Sequence, residues 1–405
     1  MITHSLALGT NKNDRSESLI SDGDSGLDLL LSYSRPPPKT RLRQLMEKLA
    51  HFLAVSTFLA LLVLIPVITI QALKDKNSQD DHVAFYSSAA FVGLTVPISI
   101  YGIYGHLSNY NQPRVQKYVV RILWMVPLYS LQSWLSLRFH DSSVWIESLR
   151  DMYESYTLAS FLYYLIEVLG GEEEITRTLL DQPEQTYGRH GRFMSLFFSD
   201  WSGPLFLSRC KWGVLQYVVV KVFCVVLTIL CEAAGTYGNG EFSLTSGYFY
   251  VTFFANVSQC LALYVLVKLF YAVKLSLMAI GAKPYGKFAC VKGVVFFTWW
   301  QGVGIAVLTN YGIIHERGTW SQDDVADGLQ DYLITVEMLF FAIAHMYTFS
   351  YTEYCVDEDM GLPRSGGTFG EALWSSSVPS EIGEDIKTEV FARKKKEESP
   401  SILSI

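Results

Sequence analysis

Long apolar runs separated by short polar connectors recur from residue 49 to residue 351, and most reach the roughly 20 residues needed to cross a bilayer. Leu49–Ala72 and Ala84–Gly105 open the series, the second containing Pro97, which membrane helices tolerate. Gly213–Gly235, Gly247–Val273, Phe288–Ile314 and Asp331–Tyr351 close it. Two middle segments are weaker. Tyr118–Phe139 is bounded by Arg121 and Arg138, which leaves about 24 Å of uncharged helix at 1.5 Å per residue. Val144–Gly170 has an apolar part only from Ser155 to Ile166, about 18 Å. The pattern predicts an all-α integral membrane protein with up to eight crossings.

Composition agrees, since only 18% of the 405 residues are charged and 50% are hydrophobic, with 24 Tyr, 24 Phe and 9 Trp. Aromatic residues of this kind gather at membrane interfaces. Residues 1–34 are polar and expected to be disordered, with no early apolar region, so the first apolar segment would act as its own insertion signal. Residues 35–48 add a basic, proline-led juxtamembrane stretch. Residues 1–48 thus precede a transmembrane helical domain, 49–354, and residues 355–405 read as a disordered tail.

Loop charge orients the second half. The 171–212 loop carries Arg177, Arg189, Arg192, Arg209 and Lys211, and the next basic loop carries Lys274, Lys283 and Lys287. The 236–246 loop has no basic residue and 315–330 is mostly acidic, whereas the tail is basic at Arg393 to Lys396. The positive-inside rule therefore puts both basic loops and the C-terminus in the cytoplasm. The side of the N-terminus depends on whether three or four crossings precede residue 171.

Four charges fall within eight residues of Val144–Gly170. A charge at the centre of a membrane helix costs about 2.5–3.5 kcal/mol on insertion scales, so such groups face a bundle interior or water. Glu147, Asp151 and Glu154 share one helical face, with Arg150 beside it and spaced to pair with Glu147 or Glu154. Their plainer reading is an interfacial helix end. Lys221 sits mid-segment, with Glu232 three turns on and on the same face. Asn256, Gln259, Gln301 and Asn310 also lie within spans, where amides bond helix to helix or line a polar path. Glu337 and His345 lie two turns apart in the last span with Asp331 at its entrance, a composition shared by proton relays and by satisfied interhelical bonds.

Catalytic signatures such as HExxH, GxSxG, a P-loop or a dinucleotide fingerprint are missing, so no enzyme, cofactor or ATP-driven chemistry is expected. Cys210, Cys224, Cys231, Cys260, Cys290 and Cys355 show no metal-ligand or disulfide spacing. No metal site and no nucleic-acid partner are expected.

Several strings together resemble one family. They are QPRVQKYVVRILWMVPLYSLQSWLSLRF (112–139), RDMYESYTLASFLYYL (150–165), RCKWGVLQYVVVK (209–221), KPYGKFACVKGVVFFTWWQ (283–301) and GLQDYLITVEMLFFAIAHMYTFSY (328–351). From about residue 50 to 354 the chain is similar to the organic solute transporter alpha-subunit/transmembrane protein 184 family, which includes the plant Lazarus1 proteins, and is nearer the transmembrane protein 184 branch. The resemblance implies about seven spans, so one of 118–139 and 144–170 would be short, tilted or re-entrant. The expected fold is a bundle of seven, or eight, transmembrane helices. It further implies facilitated, ATP-independent transport of amphipathic, steroid- or bile-acid-like solutes. Other members are linked to vesicle traffic and vacuole integrity, which makes a receptor or scaffold in endosomal or vacuolar membranes the alternative.

The family's acidic-aromatic motif falls on Arg150, Asp151, Tyr153, Glu154 and Tyr156, and later motifs carry Gln216, Lys287, Lys292, Gln301, Gln330, Asp331, Glu337 and His345. The expected solute path is Glu147, Arg150, Asp151, Tyr153, Glu154, Tyr156, Lys221, Glu232, Asn256, Gln301, Glu337 and His345. Expected partners are the lipid bilayer, an organic solute, and a single-span beta-type subunit or further copies of the chain. The expected location is the plasma membrane or an endosomal or vacuolar membrane. Many relatives have a run of cysteines in the cytoplasmic loop; FMSLFFSDWSG (193–203) has none, so acylation of that loop is not expected.

Overall fold

The computed structural model describes Lys48 and residues 82–139, 142–181, 195, 201, 205–238, 243, 245–279, 283–316, 320–355, 368–379 and 381–388. The expectations for most of 1–48 and for Leu49–Ala72 fall outside those residues.

The described residues are helical with no strand among them. In chain order the helices are α1 His82–Ser108, α2 Pro113–Leu123, α3 Met125–Arg138, α4 Ser143–Val168 and α5 Glu172–Leu180. There follow α6 Leu205–Ala233, α7 Gly247–Ala279, α8 Pro284–Asn310 and α9 Gln322–Thr348. A 3₁₀ turn, Tyr351–Tyr354, and the tail helices α10 Phe369–Ser377 and α11 (381–388) complete the set. Five helices, α1 and α6 to α9, are long and apolar enough to cross a membrane.

The two doubtful segments are continuous. α2 and α3 join through Trp124 into one rod, carried across the joint by Trp124 N–H to the Val120 carbonyl, 3.1 Å, and Leu128 N–H to the Trp124 carbonyl, 3.2 Å. Pro127 lies four residues past Leu123 and has no amide hydrogen to offer that carbonyl, which accounts for the break in the helical ladder. The rod of residues 113–138 and the 26-residue α4 are each about 39 Å long at 1.5 Å per residue. Each is long enough to cross the roughly 30 Å of a bilayer core. What makes them look marginal is charge, and Arg121 and Arg150 are buried against other helices.

Contacts between neighbours fix an alternating arrangement. Tyr118 of α2 stacks on Tyr163 of α4 with ring centroids 5.7 Å apart, while Arg150 at the start of α4 reaches Ser133 of α3. α6 runs back along α4, and Gly213 of α6 lets α7 approach so closely that a Cβ there would lie 2.8 Å from a Val265 methyl. Small residues at such crossings are how membrane helices pack without a hydrophobic driving force. α8 pairs with α7 through stacked Phe270 and Phe288, 4.3 Å apart, and α9 closes the bundle against α1, α3 and α8. α4 touches α2, α3, α6, α7 and α8, which makes it the hub.

The outer faces of α6 to α9 expose Phe223, Leu230, Phe253, Phe254, Phe297 and Phe340. An apolar surface of that extent belongs against lipid, and the chain is an integral membrane protein.

One end of the bundle collects the C-termini of α1 and α4, the N-termini of α2, α6 and α8, the 3₁₀ turn and the tail. His106 Nε2 meets the Phe349 carbonyl at 2.8 Å, Lys287 pairs with Glu353 at 2.5 Å, and Lys211 pairs with Asp385 at 2.8 Å. Lys211, Lys287 and the described tail residues around Asp385 therefore share one end of the bundle.

The expectation of a disordered tail has to be corrected over 368–388. Thr368 and Glu371 form a reciprocal capping box that starts α10. Phe369, Ala372 and Ile382 are buried in the main core, where their apolar contacts offset the ordering cost of a short helix. Glu381 of α11 pairs with Lys117 and with Arg121 at 3.3 Å. Burial alone would push its carboxyl up, but the Lys117 ammonium, its own backbone amide and Arg121 hold it below the ordinary 4.5. A carboxylate held down in the docked state stabilises docking above its free value, and that contribution is lost as pH falls through the lowered one. A fluorophore on exposed Ser377 should therefore report a docked tail from neutral pH down to 4.5 and release on further acidification. Release on raising the pH from neutral would contradict this.

Candidate functional site

The α4 hub presents its charged turn to four neighbours. Arg150, 8% exposed, donates to Asp331 of α9 at 3.3 Å and to Ser133 of α3 at 3.4 Å. Its ion pair is made not with Glu147 or Glu154, the partners its spacing offered, but with the acid of α9. Asp151 takes the Lys221 ammonium of α6 at 2.7 Å. One turn further in, a single oxygen of Glu154 accepts from Tyr217 of α6 at 3.2 Å and from Gln259 of α7 at 2.5 Å. Three consecutive charged positions of one helix thus tie it to α3, α6, α7 and α9.

Asp151 keeps 42% of its side chain exposed, while Lys221 opposite keeps 10%. The pair sits at the rim of the network and Glu154 lies beneath it. This gives a polar column on one side of α4, with Asp151 the more exposed and Glu154 partly buried. Such a column can hold a cationic or hydrogen-bonding group at its mouth and exchange partners by breaking one ion pair.

A second polar group lies between α8 and α9, where the Gln301 amide donates to Glu337. The remaining Gln301 Oε1 and Glu337 Oε2 are buried with no partner among the described residues. His345, 2% exposed, likewise leaves both ring nitrogens unpartnered between Phe341 and Phe349. Glu337 and His345 stand about 12 Å apart along α9 at the helical rise and are not joined by a hydrogen bond.

The remaining expected path residues scatter. The Tyr153 hydroxyl donates to the Arg121 carbonyl at 2.7 Å, and its ring meets Tyr156 edge-on, so both tyrosines face α2 rather than the acidic column. Asn256 bonds its own helix through the Thr252 carbonyl and accepts from Trp299 of α8 at 3.2 Å, an interhelical role. Glu232 is half-buried in the last turn of α6 and makes no ion pair among the described residues. Glu147 lies one turn outside Arg150.

Two contributors went unrecognised in the sequence. Tyr217 looks like one more aromatic in an apolar run, and only its place seven residues after Cys210 on the face bearing Gly213 and Lys221 could have flagged it. Arg121 reads as a span boundary but is 1% exposed, a buried cation that the apolar residues on both sides of it could have signalled.

The Arg150–Asp331 pair yields a direct test. Removing one member of a buried pair leaves an uncompensated charge at a cost of about 3–5 kcal/mol, whereas replacing both is close to neutral. Asp331→Leu should lower the melting temperature of the purified protein sharply, and adding Arg150→Met should restore most of it. Two additive losses would mean the groups act independently.

The profile of the organic solute transporter Ostalpha family matches residues 84–354. The chain is 37% identical over 285 residues to Protein LAZ1 homolog 1 of Arabidopsis thaliana, covering 66% of this chain and 57% of that protein. It is 36% identical over 277 residues to Protein LAZ1 homolog 2 of the same plant, covering 65% of this chain and 67% of the relative. No solved structure matches. The family region spans every helix from α1 to α9 and holds both polar groups, and the chain belongs to the organic solute transporter Ostalpha family.

Proposed function

We propose that this chain is a facilitative carrier of amphipathic organic solutes, steroid- or bile-acid-like in shape, moving them down their gradient without ATP. The observation that carries the reading is the polar column of α4, Asp151 and Glu154 against Lys221, running into a bundle whose outside is apolar. A membrane helix tolerates that charge where it faces the interior, and interior charge in a membrane bundle marks a path or a relay. Support also comes from the unpartnered polar atoms of Gln301, Glu337 and His345, since each buried group without a partner costs about 1–3 kcal/mol unless something bonds to it. In this reading Arg150, Asp151, Glu154 and Lys221 form the path, Glu147 stands at its mouth, and Glu337 with His345 supports it.

The proposed topology has seven crossings between residues 82 and 355, counting the α2–α3 rod and α4, with an eighth if Leu49–Ala72 also crosses. The end of the bundle shared by Lys211, Lys287 and the described tail residues is then cytoplasmic. The plasma membrane or an endosomal or vacuolar membrane, and a single-span beta-type partner or a second copy, complete the proposal.

One observation favours a second reading. Arg150, Asp151 and Glu154 are all satisfied by partners on neighbouring helices, as a receptor or scaffold in endosomal or vacuolar traffic would require. Uptake separates the two. Proteoliposomes holding this chain, alone and with a candidate single-span partner, should take up a labelled sulfated steroid saturably. The Asp151→Asn/Glu154→Gln double variant, shown to be folded by a cooperative melt, should not. Uptake unaltered by the double change would contradict the assigned path, and no saturable uptake in either preparation would favour the scaffold.

A further inference from the structure

Arg121 is 1% exposed at the bundle end, yet the acceptors of its guanidinium do not come from the bundle. Its Nε donates to the Ser376 carbonyl at 3.0 Å, and Nη2 donates to the carbonyls of Ser375 and Val378 at 2.9 and 2.6 Å. Both Nη atoms also reach Glu381 Oε2, at 3.4 and 3.3 Å. Every hydrogen-bond acceptor of its guanidinium among the described residues thus belongs to the tail. The carbonyls are those of the last turn of α10 and the residue after it, where helical backbone presents unsatisfied oxygens and partial negative charge.

Two lysines flank the same place. Lys117 binds Glu381, and Lys211 binds Asp385 at 2.8 Å while also holding Glu172 at 2.5 Å. Glu381 and Asp385 are four residues apart on α11 and therefore share its bundle-facing side. Between the cations lies an aromatic platform, the buried stack of Tyr118 on Tyr163. Lys117 Nζ and Arg121 Cζ lie 4.8 and 5.2 Å from the Tyr118 centroid, and Lys211 Nζ lies 6.0 Å from that of Tyr163. The Tyr163 hydroxyl donates to Asp385 at 2.5 Å. Three cations around a flat aromatic stack form a receptor for an anion carried on a flat apolar body. The tail lies beyond residue 354, where the family match ends.

We propose that residues 368–388 form an internal plug, whose Glu381 and Asp385 carboxylates fill an anion site made by Lys117, Arg121 and Lys211 on the Tyr118–Tyr163 stack. When the plug is off, the site takes the carboxylate, sulfate or phosphate of an amphipathic anion. This rests on the carrier reading for its role, because the site lies at the bundle end that the proposal places in the cytoplasm. An anionic solute arriving there competes with the tail, and the chain's own tail sets how much solute is needed. Phe369, buried in the core on the preceding helix, keeps the plug near the site, so its carboxylates act at high local concentration.

The test uses the full chain in phosphatidylcholine nanodiscs, with tritiated estrone sulfate as probe and equilibrium binding as readout. With exposed Cys260 and Cys355 replaced by Ser, Ile382→Cys, a position 5% exposed, reports the plug through its reaction with a maleimide. In Glu381→Gln/Asp385→Asn the cysteine should become reactive. Estrone sulfate should bind about tenfold more tightly, as follows when an internal competitor that fills the site nine-tenths of the time is removed. Adding Lys117→Gln and Lys211→Gln should abolish the gain. A cysteine still protected in the carboxamide variant would overturn the plug. A reactive cysteine with unchanged binding would overturn the anion site. Nanodiscs containing phosphatidylserine tell the two anion sources apart, since a gain that this lipid abolishes upholds the site and assigns it to lipid headgroups. Binding is read without transport, so failure of uptake and failure of this site are separate results.

Discussion

The arrangement depends on the cost of taking α4 out of water. Arg150, Asp151 and Glu154 follow each other within five positions of a helix that is otherwise buried on most sides, and none can be left uncompensated in a medium without water. Their partners come from four helices: α9 supplies Asp331, α3 supplies Ser133, α6 supplies Lys221 and Tyr217, and α7 supplies Gln259. Because these bonds hold only at one register, they fix the height and rotation of four helices relative to the hub. Apolar packing alone would tolerate sliding, since lipid is as good a partner as another apolar helix.

The rest of the molecule is organised around that hub. α6 and α7 close on each other at Gly213, and Gln216 and Ser258 exchange hydrogen bonds of 2.7 and 3.0 Å just beyond it, which carries Gln259 to Glu154. α9 reaches α4 with Asp331 near one end and meets α1 with Phe349 at the other. The polar interior therefore runs through the bundle in two groups, one on α4 and one between α8 and α9, while the outer faces remain apolar. The tail covers one end and satisfies a cation, Arg121, that the bundle leaves to it.

The apolar helices were legible in the sequence, because a run of 20 or more apolar residues has few other uses. Their ends extend by several residues beyond the apolar runs, as α6 does from Gly213 back to Leu205, since amphipathic turns continue a helix past the bilayer. The α2–α3 rod and α4 were hard to judge because hydropathy charges a cost to Arg121, Arg150 and Asp151 without knowing their partners. The partner of Arg150 is 181 positions away, and that of Asp151 lies on α6. Local spacing pointed instead to Glu147 and Glu154, a reminder that a pair permitted by helical geometry competes with every cation and acid the fold brings near. The acidic column itself was visible, since Glu147, Asp151, Glu154 and Lys221 stand out in apolar surroundings. The tail was not, although Thr368 and Glu371 spell a capping box, because a nine-residue helix is stable only by docking and docking is not written locally.

The central claim is that α4 is held inside the bundle by its charges, and a charge exchange between α4 and α6 tests it most directly. Asp151→Lys and Lys221→Asp should each lower the yield and melting temperature of the protein, by setting like charges against each other. The combined exchange should recover both, because the attraction between the two positions is restored with its sign reversed. Single changes that leave the protein as stable as before, or an exchange no better than either alone, would show that the two residues do not meet and that α4 is not the hub.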